Sequence, residues 1–256
     1  MNYVIYDLEF NQKYIDFPEE NPSSSSRLPF EIIQIGALKL NERFETLSSF
    51  NALIKPEVYP NIHPYVEKLT RINNNTVSSS KDFVSVYKEF LEFIGDDQVI
   101  LCVWGTVDIK ELLRNIEFYN LSSSSISKYY IDVQKTASLY LKSPNNSKVG
   151  LKTAIELLNL KSDNEFHDAF NDAYYTSEIF KTIYDNTNIK PSIYSPNTSR
   201  KSKEPKEKID TVSLIKQFEK MYNREMSSEE KTIIKLAYNM GRTRQFVVYT
   251  SPIQNT

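Results

Sequence analysis

The chain is almost free of cysteine: its 256 residues contain one, Cys102. That excludes an intrachain disulfide framework and a cysteine-based zinc cluster. Cys102 sits in the apolar run Val99-Ile100-Leu101-Cys102-Val103-Trp104 and reads as a small buried hydrophobe rather than a nucleophile. No stretch of 18 or more apolar residues exists, which excludes a membrane-spanning helix. The N-terminus lacks a basic segment followed by an apolar core and a small-residue cleavage site, so no secretory signal is read and a reducing cytoplasm is expected. Glycine is scarce, with five residues, while Asn, Tyr, Ile, Lys and Ser are frequent. The Ser runs at 23–26, 78–80 and 122–125 therefore read as loops within a biased composition.

A net charge of -2 singles out no partner, but its distribution is uneven. Residues 200–256 hold 12 Lys/Arg against 7 Asp/Glu, and residues 1–199 hold 19 against 26. An acidic body with a basic tail is compatible with metal carboxylates in one place and phosphate contacts in another. The tail cations Lys201, Lys203, Lys206, Lys208, Lys216, Lys220, Lys231, Lys235, Arg242 and Arg244 have a second reading, as a solvated face and linker.

What is present is a chain with 40% hydrophobic and 25% charged residues, long enough for one substantial α/β core. Strands are expected at 3–8, 30–40, 46–54, 99–104 and 129–133. Helices are expected at 66–72, from Ser79 or Ser80 to Gly95, after Thr106, from about 134 to 141, and at 151–158 and 168–184. An Asn break is read at 73–75, and His63 as a loop histidine. The periodicity fails between Asn186 and Lys208, where Pro191, Pro196 and Pro205 gather. The expected organisation is a body at 1–188, a linker at 189–208, and a small, basic, mainly helical region at 209–256, with helices at 212–221 and 229–240 and a short strand at 245–250. No internal repeat is found.

The stretch Tyr3-Val4-Ile5-Tyr6-Asp7-Leu8-Glu9-Phe10-Asn11 holds the chemistry. Strand periodicity sends Asp7 and Glu9 to one side, with Leu8 on the other. Two carboxylates at the end of a core strand repel one another, and hard divalent cations such as Mg²⁺ or Mn²⁺ remove that cost. Taken alone, the pair reads first as a solvated strand end. Asp108 follows the Val99–Trp104 run, and His167 and Asp172 lie at the start of the longest late helix. Asp168 between them reads as a helix cap. His167 alone is readily a satisfied surface histidine, and Phe10 a core residue. Carboxylates from several elements beside an imidazole suit phosphodiester hydrolysis at two divalent ions.

In this order, Asp7-Leu8-Glu9, Asp108 and His167 with Asp172 resemble the DEDDh 3′–5′ exonucleases, from the first strand to about residue 185. Phe30-Glu31-Ile32-Ile33-Gln34-Ile35-Gly36-Ala37 looks like the family's second strand. Val66 to Ile72 looks like its following segment, with Arg71 where glycine is common. Asn11 stands where threonine often does. The nearest subgroup is that of KapD and the enhanced-RNAi exonucleases. The resemblance implies a ribonuclease H-like α/β fold, a five-stranded mixed sheet with helices on both faces, to which the small C-terminal helical appendage read from periodicity is added. It implies Asp7, Glu9, Asp108 and Asp172 as ligands of two Mg²⁺ or Mn²⁺ ions, His167 as general base, and Leu8, Phe10 and Asn11 as contacts to a terminal nucleotide. The partner implied is the 3′ end of single-stranded RNA, weakly preferred, or DNA. No membrane partner is expected. A DNA exonuclease of the same fold, a non-catalytic nucleic-acid-binding module and a structural protein are the rival readings, the last requiring the four acids to lie apart.

Overall fold

The computed structural model describes residues 1–13, 27–95, 98–144, 147–184, 189–195 and 210–242, of which 239–242 by backbone alone. Two compact units are present, Met1–Pro196 and Asn197–Thr256. In the first, a sheet runs in the order β3-β2-β1-β4-β5-β6. Its strands are β1 (Asn2–Gln12), β2 (Phe30–Leu40), β3 (Thr46–Leu53), β4 (Val99–Val103), β5 (Tyr129–Asp132) and β6 (Ser192–Ile193). β1, β2 and β3 form an antiparallel meander, and β4 and β5 continue from β1 in parallel. The mixed sheet is the one expected. It carries one strand more, because Ser192–Ile193 of the expected linker pairs antiparallel with Tyr129–Tyr130.

The helices cover both faces because the strands are apolar on both faces. Val4, Tyr6 and Leu8 of β1 face a core completed by α3 (Phe83–Ile94) and α4 (Val107–Phe118). Tyr3 and Ile5 face a second core completed by α5 (Val133–Tyr140), α6 (Leu151–Leu157) and α7 (Ala169–Tyr184). The odd-numbered face of β1 is thus the α7 face, and Asp7 and Glu9 continue it.

Two short helices, α1 (Pro64–Thr70) and α2 (Asn74–Ser78), close a third cluster of Ile33, Ile62, Val66, Ile72 and Val77. Here one expectation is sharpened and two are corrected. His63 lies in the loop as read, and there its Nδ1 accepts the Tyr65 N–H and caps α1. The Asn break is helical because the Asn73 side chain and Thr76 form a reciprocal capping box. The start of α3 is set by Asp82, whose carboxylate accepts the Ser85 N–H, rather than by Ser79 or Ser80.

The second unit contains α8 (Thr211–Tyr222) and α9 (Ser228–Arg242). Asp210 caps α8, and Ser227 with Glu230 caps α9. The α9 helix runs through Gly241 rather than stopping there. Lys201, Lys203, Lys206, Lys208, Arg244 and the strand expected at 245–250 lie outside the described residues, as does the Arg242 side chain. No helix among the described residues is long and apolar enough to cross a membrane.

Candidate metal centre

Asp7 and Glu9 leave β1 opposite Gly36 and Gln34 of β2. Directly after Glu9 the pairing slips, so that Phe10 faces Ile32 and Ile33 is extra. Such a bulge re-aims the strand end, a common device beside reactive groups. The identity of residue 36 decides how near α7 comes. A Cβ there would lie 2.1 Å from the Phe170 nitrogen and 2.2 Å from the Ala169 carbonyl carbon, so only glycine allows the helix start to rest on the strand backbone.

Gln34, 3% exposed, ties down the same helix end. Its Oε1 accepts the Ala169 N–H at 3.1 Å, and its Nε2 donates to Asp168 Oδ2 at 2.9 Å and to Asn51 Oδ1 at 3.0 Å. The other oxygen of Asp168 accepts the Phe170 and Asn171 N–H groups at 3.1 and 3.0 Å. Asp168 is therefore the helix cap read from the sequence, with both oxygens engaged. Just before it, His167 stands exposed at a left-handed φ of 64°, and its N–H donates to Asp172 Oδ2 at 3.2 Å.

This junction brings Glu9, His167 and Asp172 together, one potential ligand atom from each lying within 4.8 Å of the others. Asp172 Oδ1 is buried and has no hydrogen-bond partner. Asp108, in the first turn of α4, is buried beside the same site. Electrostatics connect the rest. Burial, then repulsion by Asp108, Asp172 and Glu9, holds the Asp7 carboxyl well above the usual carboxylate range. Burial and the charges of Asp172 and Asp108 push Glu9 up to about 8. Burial, with Asp172 and Glu111 nearby, raises Asp108 to about 7, and burial with Asp168 nearby raises Asp172 to about 6. Among the described residues none of the four forms an ion pair with Lys or Arg. Four carboxylates, two buried and two half-buried, without a paired Lys or Arg and with one oxygen orphaned, are the donor set of a hard divalent ion, and these residues fit one.

The residues expected at a terminal nucleotide are placed unequally. Leu8 is 3% exposed and packs into the α3/α4 core. Phe10 is half-buried, its ring 6.1 Å from that of Phe30, which is 39% exposed. Asn11 is wholly buried and braces a neighbouring loop. It donates to the carbonyls of Tyr59 and Asn61 at 2.8 and 3.0 Å and accepts the His63 N–H at 2.9 Å. With both amide donors used, its side chain orders the loop. Any donation from it to a nucleotide requires one of those bonds to break.

Arg71 takes a left-handed φ of 62° as the last cap of α1, a conformation that explains a preference for glycine there. Its guanidinium pairs with Glu165, two residues before His167. Sequence reasoning assigned no role to Gln34, Gly36 or Glu31. Glu31, 1% exposed, accepts the N–H groups of Glu57, Val58 and Tyr59 and so fixes the loop that Asn11 also braces. A charged or amide side chain inside an apolar strand was the available signal.

The profile of the exonuclease family, RNase T type, matches residues 4–180. A search of curated protein sequences finds no match. Among solved structures, the nuclease domain of 3′hExo, a DEDDh family member bound to rAMP, shares 20% identity at a TM-score of 0.64, over 76% of this chain and 97% of that one. A 3′-exonuclease recognising the histone mRNA stem-loop shares 19% at 0.62, over 77% and 72%. E. coli exonuclease I with a dA16 oligonucleotide shares 13% at 0.52, over 72% of this chain and 41% of that one. At these identities the likeness is one of fold.

Proposed function

The chain belongs to the RNase T-type exonuclease family, and from that premise we propose that it trims single-stranded nucleic acid from the 3′ end, releasing 5′-mononucleotides, with RNA the favoured polymer. The observation that carries this reading is the meeting of Glu9 from β1 with His167 and Asp172 from the start of α7. Asp7 and Asp108 act on the same charge cluster. The finer kinship, with the KapD and enhanced-RNAi subgroup, rests on the ordered motifs and supports the preference for RNA.

In this reading Asp7, Glu9, Asp108 and Asp172 hold two Mg²⁺ or Mn²⁺ ions. When bound, those ions neutralise the phosphodiester and stabilise charge building on the attacking and leaving oxygens. The chain's own groups do the rest. His167 stands at the exposed rim, where its imidazole accepts the proton of the attacking water. Its backbone N–H fixes one oxygen of Asp172, and the unpartnered Oδ1 is the atom that would hold a cation. The Phe10–Phe30 pair offers aromatic surface beside the strand end for a terminal base.

The test is digestion of RNA and DNA oligonucleotides blocked at either end, with Mg²⁺ or Mn²⁺, comparing wild type with Asp7→Ala. Wild type is expected to degrade free 3′ ends only and to yield 5′-mononucleotides. Undiminished activity in Asp7→Ala defeats the assignment, and stronger cleavage of DNA than of RNA reverses the choice of polymer.

A further inference from the structure

Toward the β5–β6 edge of the sheet, β5 and the outer face of α5 enclose a groove of about 830 Å³ with the segment at 189–192. Its wall carries Lys135, Lys142 and Lys190, together with Tyr130, Leu139 and Tyr140. All three lysines are exposed, as are Leu139 and Tyr140. Among the described residues none of the three lysines forms an ion pair. The one acid among the described residues of the wall, Asp132, has Oδ1 accepting the Lys135 N–H at 2.9 Å as the cap of α5. Three lysines against one carboxylate, among the described residues of the wall, therefore stand on a body whose residues 1–199 carry seven more acids than bases.

The groove starts at the end of the sheet that holds the carboxylates. Asp132 pairs in register with Val103 and Cys102 with Ile5, so Asp132 lies level with the last residues of β1 before Asp7. β5 stands two strands from β1, about 10 Å across the sheet. From there Lys135 and Lys142 mark a line about 10 Å long down the outside of α5 and its end. The pairing of β6 covers Tyr129 and Tyr130, and Ile131 and Asp132 beyond it line the groove.

Exposed lysines with the Tyr140 ring beside them are what a flexible polyanion with flat bases needs. The cations meet phosphates, and the ring accepts a base without regard to sequence. We propose that this groove is a second binding track for single-stranded nucleic acid, holding the strand some nucleotides away from the 3′ end that lies among the carboxylates. This inference rests on the exonuclease reading of that centre.

The experiment uses the full chain and 5′-fluorescein oligouridylates of 4 and 14 nucleotides, with affinity read by anisotropy in EDTA over a range of salt. In the triple variant Lys135→Gln, Lys142→Gln, Lys190→Gln, the preference for the 14-mer over the 4-mer is expected to fall at least about tenfold, and the 14-mer salt slope to become shallower by about 2. Tyr140→Ala is expected to weaken the 14-mer without changing that slope. An unchanged preference and slope in the triple variant overturns the groove. So does displacement of the 14-mer by polyglutamate as readily as by unlabelled oligouridylate, which assigns the track to acidic peptides. Hydrolysis of the 14-mer by wild type in Mg²⁺ or Mn²⁺ is scored separately. Lysine-dependent binding without any hydrolysis defeats the exonuclease reading and leaves the groove standing.

Discussion

Gln34 and Asp168, 134 residues apart, are joined side chain to side chain at 2.9 Å, Nε2 donating to Oδ2. The same amide accepts the Ala169 N–H, so one buried glutamine holds both the capping residue and the first backbone donor of the helix that carries Asp172. Gln34→Leu leaves both partners unsatisfied in a buried place and is expected to cost about 1–3 kcal/mol of stability. Divalent-ion affinity is expected to fall with it, because the distance from Asp172 to Glu9 is no longer fixed. Thermal unfolding with and without Mn²⁺ reads both effects, and unchanged ion affinity would show that the clamp serves stability alone.

Gly36 sets the same distance by sterics. In Gly36→Ala the new methyl meets backbone at 2.1–2.4 Å, which no side-chain rearrangement relieves. The helix start must lift from the sheet, at about 3 kcal/mol or more. Isothermal titration should show Mn²⁺ binding weakened well beyond the loss in stability. Retention of full affinity would mean that the carboxylates reach the ions without this close approach.

His167 lies near enough to Glu9 and Asp172 to count among potential ligands, yet its proposed work is proton transfer. The two roles separate in His167→Gln. As general base its loss should lower kcat by about 10²–10⁴ while Mn²⁺ affinity stays within a few-fold. A large loss of Mn²⁺ affinity would make it a ligand instead.

The raised carboxylates give the metal-free protein a definite pH dependence. Glu9 near 8, Asp108 near 7 and Asp172 near 6 all hold protons in the folded state that the unfolded chain has released above the ordinary carboxylate range. The folded state therefore binds more protons, and its stability falls as pH rises from about 4 to about 8. With EDTA present, the melting temperature should drop by about 5 °C or more between pH 5 and pH 8, and less in Glu9→Gln. Mg²⁺ or Mn²⁺ should restore it at pH 8, with protons released on binding. A melting temperature that rises over this range in EDTA would contradict the charge cluster.

What the sequence determined by itself is what depends on neighbours along the chain. The period-two pattern placed Asp7 and Glu9 on one face of a strand. The spacing of apolar residues marked α3 and α7, and the order of the acids with His167 carried the family resemblance. What only the tertiary structure decided is what depends on residues distant in sequence coming together. The glutamine at 34 and the glycine at 36 looked like ordinary strand residues until α7 lay against them. Asn11, expected at a nucleotide, has its amide donors engaged by carbonyls 48 and 50 residues away. Ser192–Ile193 became a sixth strand because β5 had a free edge to pair with. Local periodicity follows from backbone geometry and is written in adjacent residues. The distance between two packed elements is set by whichever side chains, or missing side chains, separate them.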